Sequence, residues 1–289
     1  MSQKQEFIEK QDDVRERVIE YCQETDPSYQ KWGNSEVYEW HYGYHDDLNI
    51  SHYEALVRMN EVIANSVPIH PQERVLDAGC GVGASSIWLA KNKDVQVHGI
   101  TIDPAQEHKA TSFARHHGLT EQVSFSVKDY SDTCFEKESF DIVWALESVC
   151  HAQFKYDFLQ EAFRLLRPGG RLVVADYFLH REIKELSELE RHTLQRWLDG
   201  WAMPNLASHQ SFSRDIDAVG FVQQNQQDLT KWIEPSAKEI YNRGREGFPE
   251  ELFGHNNSVV KLKHVEACIF QYVCLRQKLW SYRIFIAEK

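Results

Sequence analysis

Apolar and polar positions follow two rhythms along the 289 residues, and the change of rhythm marks out the elements. Over residues 5–25, Phe7, Ile8, Val14, Val18, Ile19 and Cys22 recur at helical spacing and predict one or two amphipathic helices. His52, Leu56, Met59, Val62 and Ile63 predict another, leading to Pro68 and Pro71. From Arg74 short apolar runs take over, and residues 74–77, 95–100, 123–127, 140–145 and 171–176 read as strands. Helical patterns separate them. One covers residues 105–117 and is stopped by Gly118. Another carries Phe154, Phe158, Leu159, Ala162, Phe163 and Leu166 on one face and breaks at Arg167-Pro168-Gly169-Gly170. Beyond Asp176 the alternation lapses. Residues 181–200 and 212–220 read as helices and Phe221-Val222 begins a strand. Residues 236–278 read mostly as helix, interrupted near 244–249, and residues 279–287 alternate as a final strand.

Strands alternating with helices predict an α/β fold: a doubly wound, mainly parallel sheet with helices on both faces. The helical material between the last two strands has to lie over the strand ends, which predicts a helical cap walling a pocket. Three regions follow: an N-terminal helical or lid segment (1–70), a cofactor-binding core (71–180), and a cap with the last strands of the core sheet (181–289).

The run Val75-Leu76-Asp77-Ala78-Gly79-Cys80-Gly81-Val82-Gly83-Ala84-Ser85-Ser86 reads as strand, glycine turn and helix start. Such a turn lets a ligand approach the main chain and aims free N–H groups at it. By itself it serves a dinucleotide enzyme as well, so an NAD(P)-dependent oxidoreductase and a non-catalytic cofactor-binding protein of the same fold stand as alternatives. A dinucleotide site wants an acidic residue at the end of the second strand, and here Thr101 follows Gly99-Ile100. Asp129-Tyr130 at the end of the third strand offers a carboxylate for an adenine amino group and a ring to flank the base. Asp77 suits an ammonium. Together these groups fit S-adenosylmethionine better than a pyrophosphate.

Four motifs carry a family resemblance over about residues 38–180. Val75–Gly83 resembles the cofactor loop of class I S-adenosylmethionine-dependent methyltransferases. Gly99-Ile100-Thr101-Ile102-Asp103-Pro104-Ala105-Gln106 is similar to the second-strand motif of their small-molecule branch, which holds tocopherol methyltransferases, cyclopropane fatty acid synthases and natural-product methyltransferases. Trp144-Ala145-Leu146-Glu147-Ser148-Val149-Cys150-His151-Ala152 resembles the fourth-strand motif of sterol C-methyltransferases and antibiotic sugar O-methyltransferases, and Leu166-Arg167-Pro168-Gly169-Gly170 the approach to strand five. The resemblance implies a Rossmann-like methyltransferase fold. It also implies that Asp77, Gly79, Gly81 and Gly83 line the methionine end of the cofactor, Thr101, Ile102 and Gln106 hold the ribose, and Asp129 and Tyr130 hold the adenine. His41-Tyr42-Gly43-Tyr44 resembles the segment that closes over the methionine carboxylate, which gives Tyr42 a cofactor contact. Many family members carry an acidic residue where this chain has Thr101, and cyclopropane synthases carry a glutamate where it has Cys150.

Methyl transfer needs a base only where the acceptor loses a proton. Glu147 and His151, just past strand four, and Asp176, ending strand five, are the catalytic candidates. Of these, His151 is the candidate base for a hydroxyl or for a proton lost from carbon, because imidazole titrates near neutrality. Each has a structural alternative: Glu147 bonding the cofactor or a backbone amide, His151 as a cap or pocket wall, Asp176 as a cap. The cap is rich in rings (Tyr177, Phe178, Trp197, Trp201, Trp232, Tyr241, Phe248, Phe253, Phe270, Tyr272); most read as core and a few as walls for an apolar acceptor. The aromatic run Tyr29, Trp32, Tyr38, Trp40, Tyr42, Tyr44 reads either as packing or as a lid.

The net charge of −12 argues against nucleic acid or an anionic membrane as main partner. Six scattered cysteines without a C-x-x-C pair suggest neither zinc nor disulfides, and no metal is expected. No signal-like or spanning apolar run is read, so a cytoplasmic enzyme without membrane insertion is expected, and the sequence is compatible with a homo-oligomer.

Overall fold

A computed structural model describes residues 3–32, 38–47, 49–253 and 258–289. Among them seven strands form one sheet: β1 (Arg74–Ala78), β2 (Gln96–Thr101), β3 (Val123–Val127), β4 (Phe140–Leu146), β5 (Leu166–Leu179), β6 (Val222–Asp228) and β7 (Trp280–Glu288). Their order is β3-β2-β1-β4-β5-β7-β6. The pairs from β3 to β5 are parallel, and β7 runs antiparallel to both β5 and β6. From β1 the chain winds outward through β2 and β3, then returns to place β4 on the other side. The carboxyl ends of β1 and β4 are therefore the topological switch point, where ligands of such sheets bind.

Burial on both faces explains the near-continuous apolar runs. Val75, Val97, Ile142, Trp144, Val173 and Ile284 face one core layer, which also holds Met59 and Ile63 of α2 (His52–Asn65), Ile87 and Leu89 of α3 (Ala84–Lys93), and Leu194 and Trp197 of α6 (Glu188–Gly200). Leu76, Ile100, Val143, Leu172, Val174 and Phe285 face the other, with Phe158 and Leu159 of α5 (Lys155–Leu165) and Phe212 and Ile216 of α7 (His209–Val219). Each such side chain contributes about 1.5–3 kcal/mol by leaving water. Local signals set the helix starts. Ser51 and Glu54 form a capping box on α2, and Asp103 caps α4 (Pro104–His116) by accepting from Ala105 N at 2.9 Å, with Pro104 at the first turn. Gly118, at φ +69°, ends α4 as its position predicts.

Three boundaries differ from the sequence pattern. The N-terminal stripe is one helix, α1 (Gln3–Trp32), with Pro27 inside it. α5 ends at Leu165 and β5 begins at Leu166, so residues 167–170 lie within the strand as an irregularity, with Gly169 at φ +77°, instead of preceding it. The expected interruption near 244–249 is helix: α8 runs Thr230–Phe253 and α9 Val259–Arg276. Gly244 serves helix packing instead, since a Cβ there would come within 2.8 Å of Cys268 Cβ on α9. No described helix is long and apolar enough to cross a membrane.

Candidate active site

The glycine turn is built by three left-handed glycines, with φ of +86° at Gly79, +55° at Gly81 and +85° at Gly83. Gly79 N and Cys80 N both donate to Ile100 O at 2.9 Å, which ties the bend to β2. The three positions differ in role. A Cβ on Gly79 would collide with Ser148, and one on Gly83 would come within 2.5 Å of Phe125 Cζ, whereas Gly81 has nothing within 4 Å. Gly79 and Gly81 border a crevice of about 190 Å³; Gly83 does not, because it packs behind the turn against β3.

Asp77, Thr101, Ile102, Gln106, Asp129 and Tyr130 all border that crevice. Asp77 is 2% exposed and accepts from Ser86 Oγ at 2.5 Å, yet burial pushes its pKa up to about 7. Such a carboxyl gains from an arriving cation. Thr101 Oγ1 donates to Gln106 Oε1 at 2.7 Å, joining the end of β2 to the first turns of α4. Asp129 accepts from Ser131 N at 2.8 Å, and Tyr130 donates to Ser148 O at 3.0 Å. Glu39 also borders the crevice and was not singled out by its sequence. It is 3% exposed, pairs with His41 Nε2 at 2.8 Å and accepts from Asn60 Nδ2 at 2.7 Å. Burial works against a charge on His41, but Glu39 beside it outweighs that and raises its pKa. A described crevice with two buried carboxyls beside a glycine turn, and a hydroxyl, a carboxylate and a ring at the ends of β2 and β3, fits a nucleoside that carries an amino acid.

A second cavity, of about 360 Å³, lies behind the first under α1, α8 and α9. Of the cap rings, Tyr177 and Trp201 border it; the side chains of Phe248 and Phe253, like that of Trp32, lie outside the described residues. Tyr21, Tyr29, Trp40, His41, Glu147 and His151 border both spaces and form their shared wall. The aromatic run from Tyr29 to Tyr44 therefore serves both readings. Tyr29 and Trp40 stack at 4.7 Å over the wall, while Tyr44 stacks on Trp232 at 5.5 Å away from it.

Tyr42 differs from expectation. Its ring borders the second cavity, and its hydroxyl donates to Gln271 Oε1 at 2.7 Å. Its backbone N–H donates to Glu147 Oε1 at 2.8 Å, because neighbouring groups on an extended strap point to opposite sides. Glu147, at φ +48°, also accepts from Tyr282 Oη at 2.9 Å and from Tyr177 Oη. Burial pushes its pKa up to about 7 despite His41 and these donors. The residue thus bonds a backbone amide, as its structural alternative held. His151 sits on the wall with its pKa brought down to about 4 by burial, so its imidazole is neutral and a weaker base than an ordinary histidine. Asp176 borders neither cavity. Its carboxylate accepts from Cys150 N and Tyr177 N at 2.8 Å each and so caps the loop after β4. Lys155 secures the same loop, donating to Cys150 O, Ala152 O, Asn205 O and Asn205 Oδ1.

Sheet order, crevice and turn together define a Rossmann-like protein that binds a nucleoside-bearing cofactor. A model of the methyltransferase domain matches residues 76–174. The chain is 29% identical over 252 residues to the 27-O-demethylrifamycin SV methyltransferase of Amycolatopsis mediterranei (strain S699), spanning 87% of this chain and 86% of that one. It is 31% identical over 224 residues to the 2-methyl-6-phytyl-1,4-hydroquinone methyltransferase of Synechocystis sp. (strain ATCC 27184 / PCC 6803 / Kazusa), spanning 72% and 68%. The cyclopropane synthase MmaA2 of Mycobacterium tuberculosis shares the fold, with a TM-score of 0.82 at 15% identity over 95% of this chain and 98% of that one. The chain belongs to the S-adenosylmethionine-dependent methyltransferases.

Proposed function

We propose that the protein transfers a methyl group from S-adenosylmethionine to oxygen or carbon of an apolar small molecule held in the larger cavity. The observation that carries this reading is the shared wall: six side chains border both the crevice and the ring-lined cavity, so a donor in one and an acceptor in the other meet there. Asp77, Gly79 and Gly81 would hold the amino-acid end, Thr101, Ile102 and Gln106 the ribose, and Asp129 and Tyr130 the adenine. Bound S-adenosylmethionine supplies an electrophilic methyl carbon on a sulfonium. The chain's own part is to align the acceptor and exclude water, which the buried rings around the wall suit. His151 takes the proton where the acceptor loses one, and Glu147 braces Tyr42, Tyr177 and Tyr282 around it. Residues 71–180 supply most of the donor groups, residues 1–70 border both spaces, and residues 181–289 close the acceptor side. The two relatives act, by name, on a rifamycin and a phytyl hydroquinone, which supports a bulky apolar acceptor. The test is incubation with methyl-labelled S-adenosylmethionine and a panel of phenols, sterols, prenyl diphosphates and glycosylated metabolites, read by mass spectrometry. Label in at least one product is expected; label in none of them, nor in a metabolite extract, overturns the reading.

A further inference from the structure

In the larger cavity, one polar chain crosses from α1 to α9 that neither the donor groups nor the Glu147 cluster use. Tyr29 and Tyr21 hydroxyls lie 2.5 Å apart, Tyr21 Oη is 3.3 Å from His264 Nδ1, and His264 Nε2 is 3.8 Å from Cys268 Sγ. Cys268 ends the chain at its α9 side. All four residues border the larger cavity, and Tyr21 and Tyr29 border the donor crevice as well. We propose that the Tyr21–Tyr29–His264 chain is a subsite for an oxygen atom of the acceptor, so that the acceptor is a hydroxyl- or carbonyl-bearing apolar molecule and not a hydrocarbon. This rests on reading the larger cavity as the acceptor site.

A hydrogen count supports it. Burial brings the His264 pKa down to about 4, so the ring is neutral and carries one proton. Two tyrosine hydroxyls, one imidazole and one thiol then supply four hydrogens for the three links of the chain. One hydrogen is left over, at one end. With His264 protonated on Nδ1, Tyr21 donates to Tyr29, and the Tyr29 O–H is left to donate to a ligand oxygen. With the proton on Nε2, the direction reverses, and Tyr29 offers lone pairs to a ligand hydroxyl. In that second case the spare hydrogen rests on the Cys268 thiol; in both cases Tyr29 is the chain end that borders both spaces and faces a ligand. Its stacking on Trp40 at 4.7 Å fixes that hydroxyl beside the wall where the two spaces meet. An oxygen held there has a matched partner in either tautomer; a hydrocarbon leaves the chain's end unpaired.

The test uses the full chain and two probes of one shape, 2-naphthol and naphthalene, titrated by ligand-observed NMR with and without saturating S-adenosylhomocysteine. The wild type is expected to prefer 2-naphthol by about tenfold, the worth of one good hydrogen bond. Tyr29→Phe should abolish the preference by weakening 2-naphthol alone, and Tyr21→Phe should reduce it. Equal affinities in the wild type, no binding of either probe, a preference that survives both variants, or a parallel loss of both probes overturns the subsite. Failure of S-adenosylhomocysteine to bind while the naphthol preference persists counts against the donor reading and leaves the subsite standing.

Discussion

Replacing Asp77 by Asn separates charge from shape in the donor crevice. The wild-type carboxyl is 2% exposed, and burial moves its pKa from 3.8 to about 7. That displacement corresponds to about 4 kcal/mol acting against the ionised form. The sign follows from linkage. A carboxyl whose folded pKa is raised contributes stability that is complete below about pH 4 and lost as the pH rises to about 7 and beyond. Without donor, Asp77→Asn should therefore be more stable than wild type near pH 8, by up to about 4 kcal/mol. With donor present the gap narrows. An ammonium beside Asp77 favours the carboxylate, so binding at about pH 6 releases close to one proton and the association constant climbs about tenfold per pH unit until about pH 7. The Asn variant has no proton to release, so its slope vanishes. Near pH 8 it forfeits a charge-assisted hydrogen bond of about 1.5–3 kcal/mol, roughly 10- to 150-fold in affinity. Calorimetric titration with S-adenosylhomocysteine in two buffers of different ionisation enthalpy reads the proton release, and chemical denaturation reads the stability. Binding independent of pH in the wild type, or an Asn variant that binds as tightly near pH 8, would refute this reasoning.

Other substitutions probe the rest of the site. Gly79→Ala should lower the melting temperature more than Gly81→Ala. The first adds a collision with Ser148 to the strain of positive φ; the second carries only that strain, about 1–2 kcal/mol, and equal losses on thermal unfolding would contradict the turn geometry. Lys155→Met removes the donor to four oxygens around the loop after β4 and should cost about 3–5 kcal/mol in equilibrium denaturation; a loss below about 1 kcal/mol would show the loop to be held otherwise. His151→Ala should cut turnover on a hydroxyl acceptor by about 10²- to 10⁴-fold with S-adenosylhomocysteine affinity within about threefold, and a rate that survives removes His151 as the base.

The parts of the site legible in the sequence are those fixed by local chemistry. Gly79 and Gly81 follow an apolar run and precede a helix, so the turn and its place at a strand end are dictated within about ten residues. Thr101, Asp129 and Tyr130 end strands of plain alternation, and parallel strands bring their ends to one edge. What was hidden depends on contacts distant in sequence. Glu39 lies in a segment with no periodicity, and its contacts with Asn60, His41 and Ser85 reveal it as buried. Tyr21 sits in a stripe that reads as ordinary amphipathic core, yet α1 crosses the crevice and turns that ring toward His264, 243 residues away. Tyr42 and Asp176 stand where the motifs put them in sequence, but their side chains are claimed by Gln271 and by backbone amides. Gly244 carries the composition of a break and serves instead as the point of close approach between α8 and α9.

The most direct measurement is a crystal structure of the protein with S-adenosylhomocysteine. The account predicts the homocysteine amino group beside Asp77, the ribose at Thr101, Ile102 and Gln106, the adenine against Tyr130 within reach of Asp129, and the sulfur facing Glu147 and His151 across the wall. A ligand found with its adenine in the ring-lined cavity, or with its sulfur turned away from that wall, would contradict it.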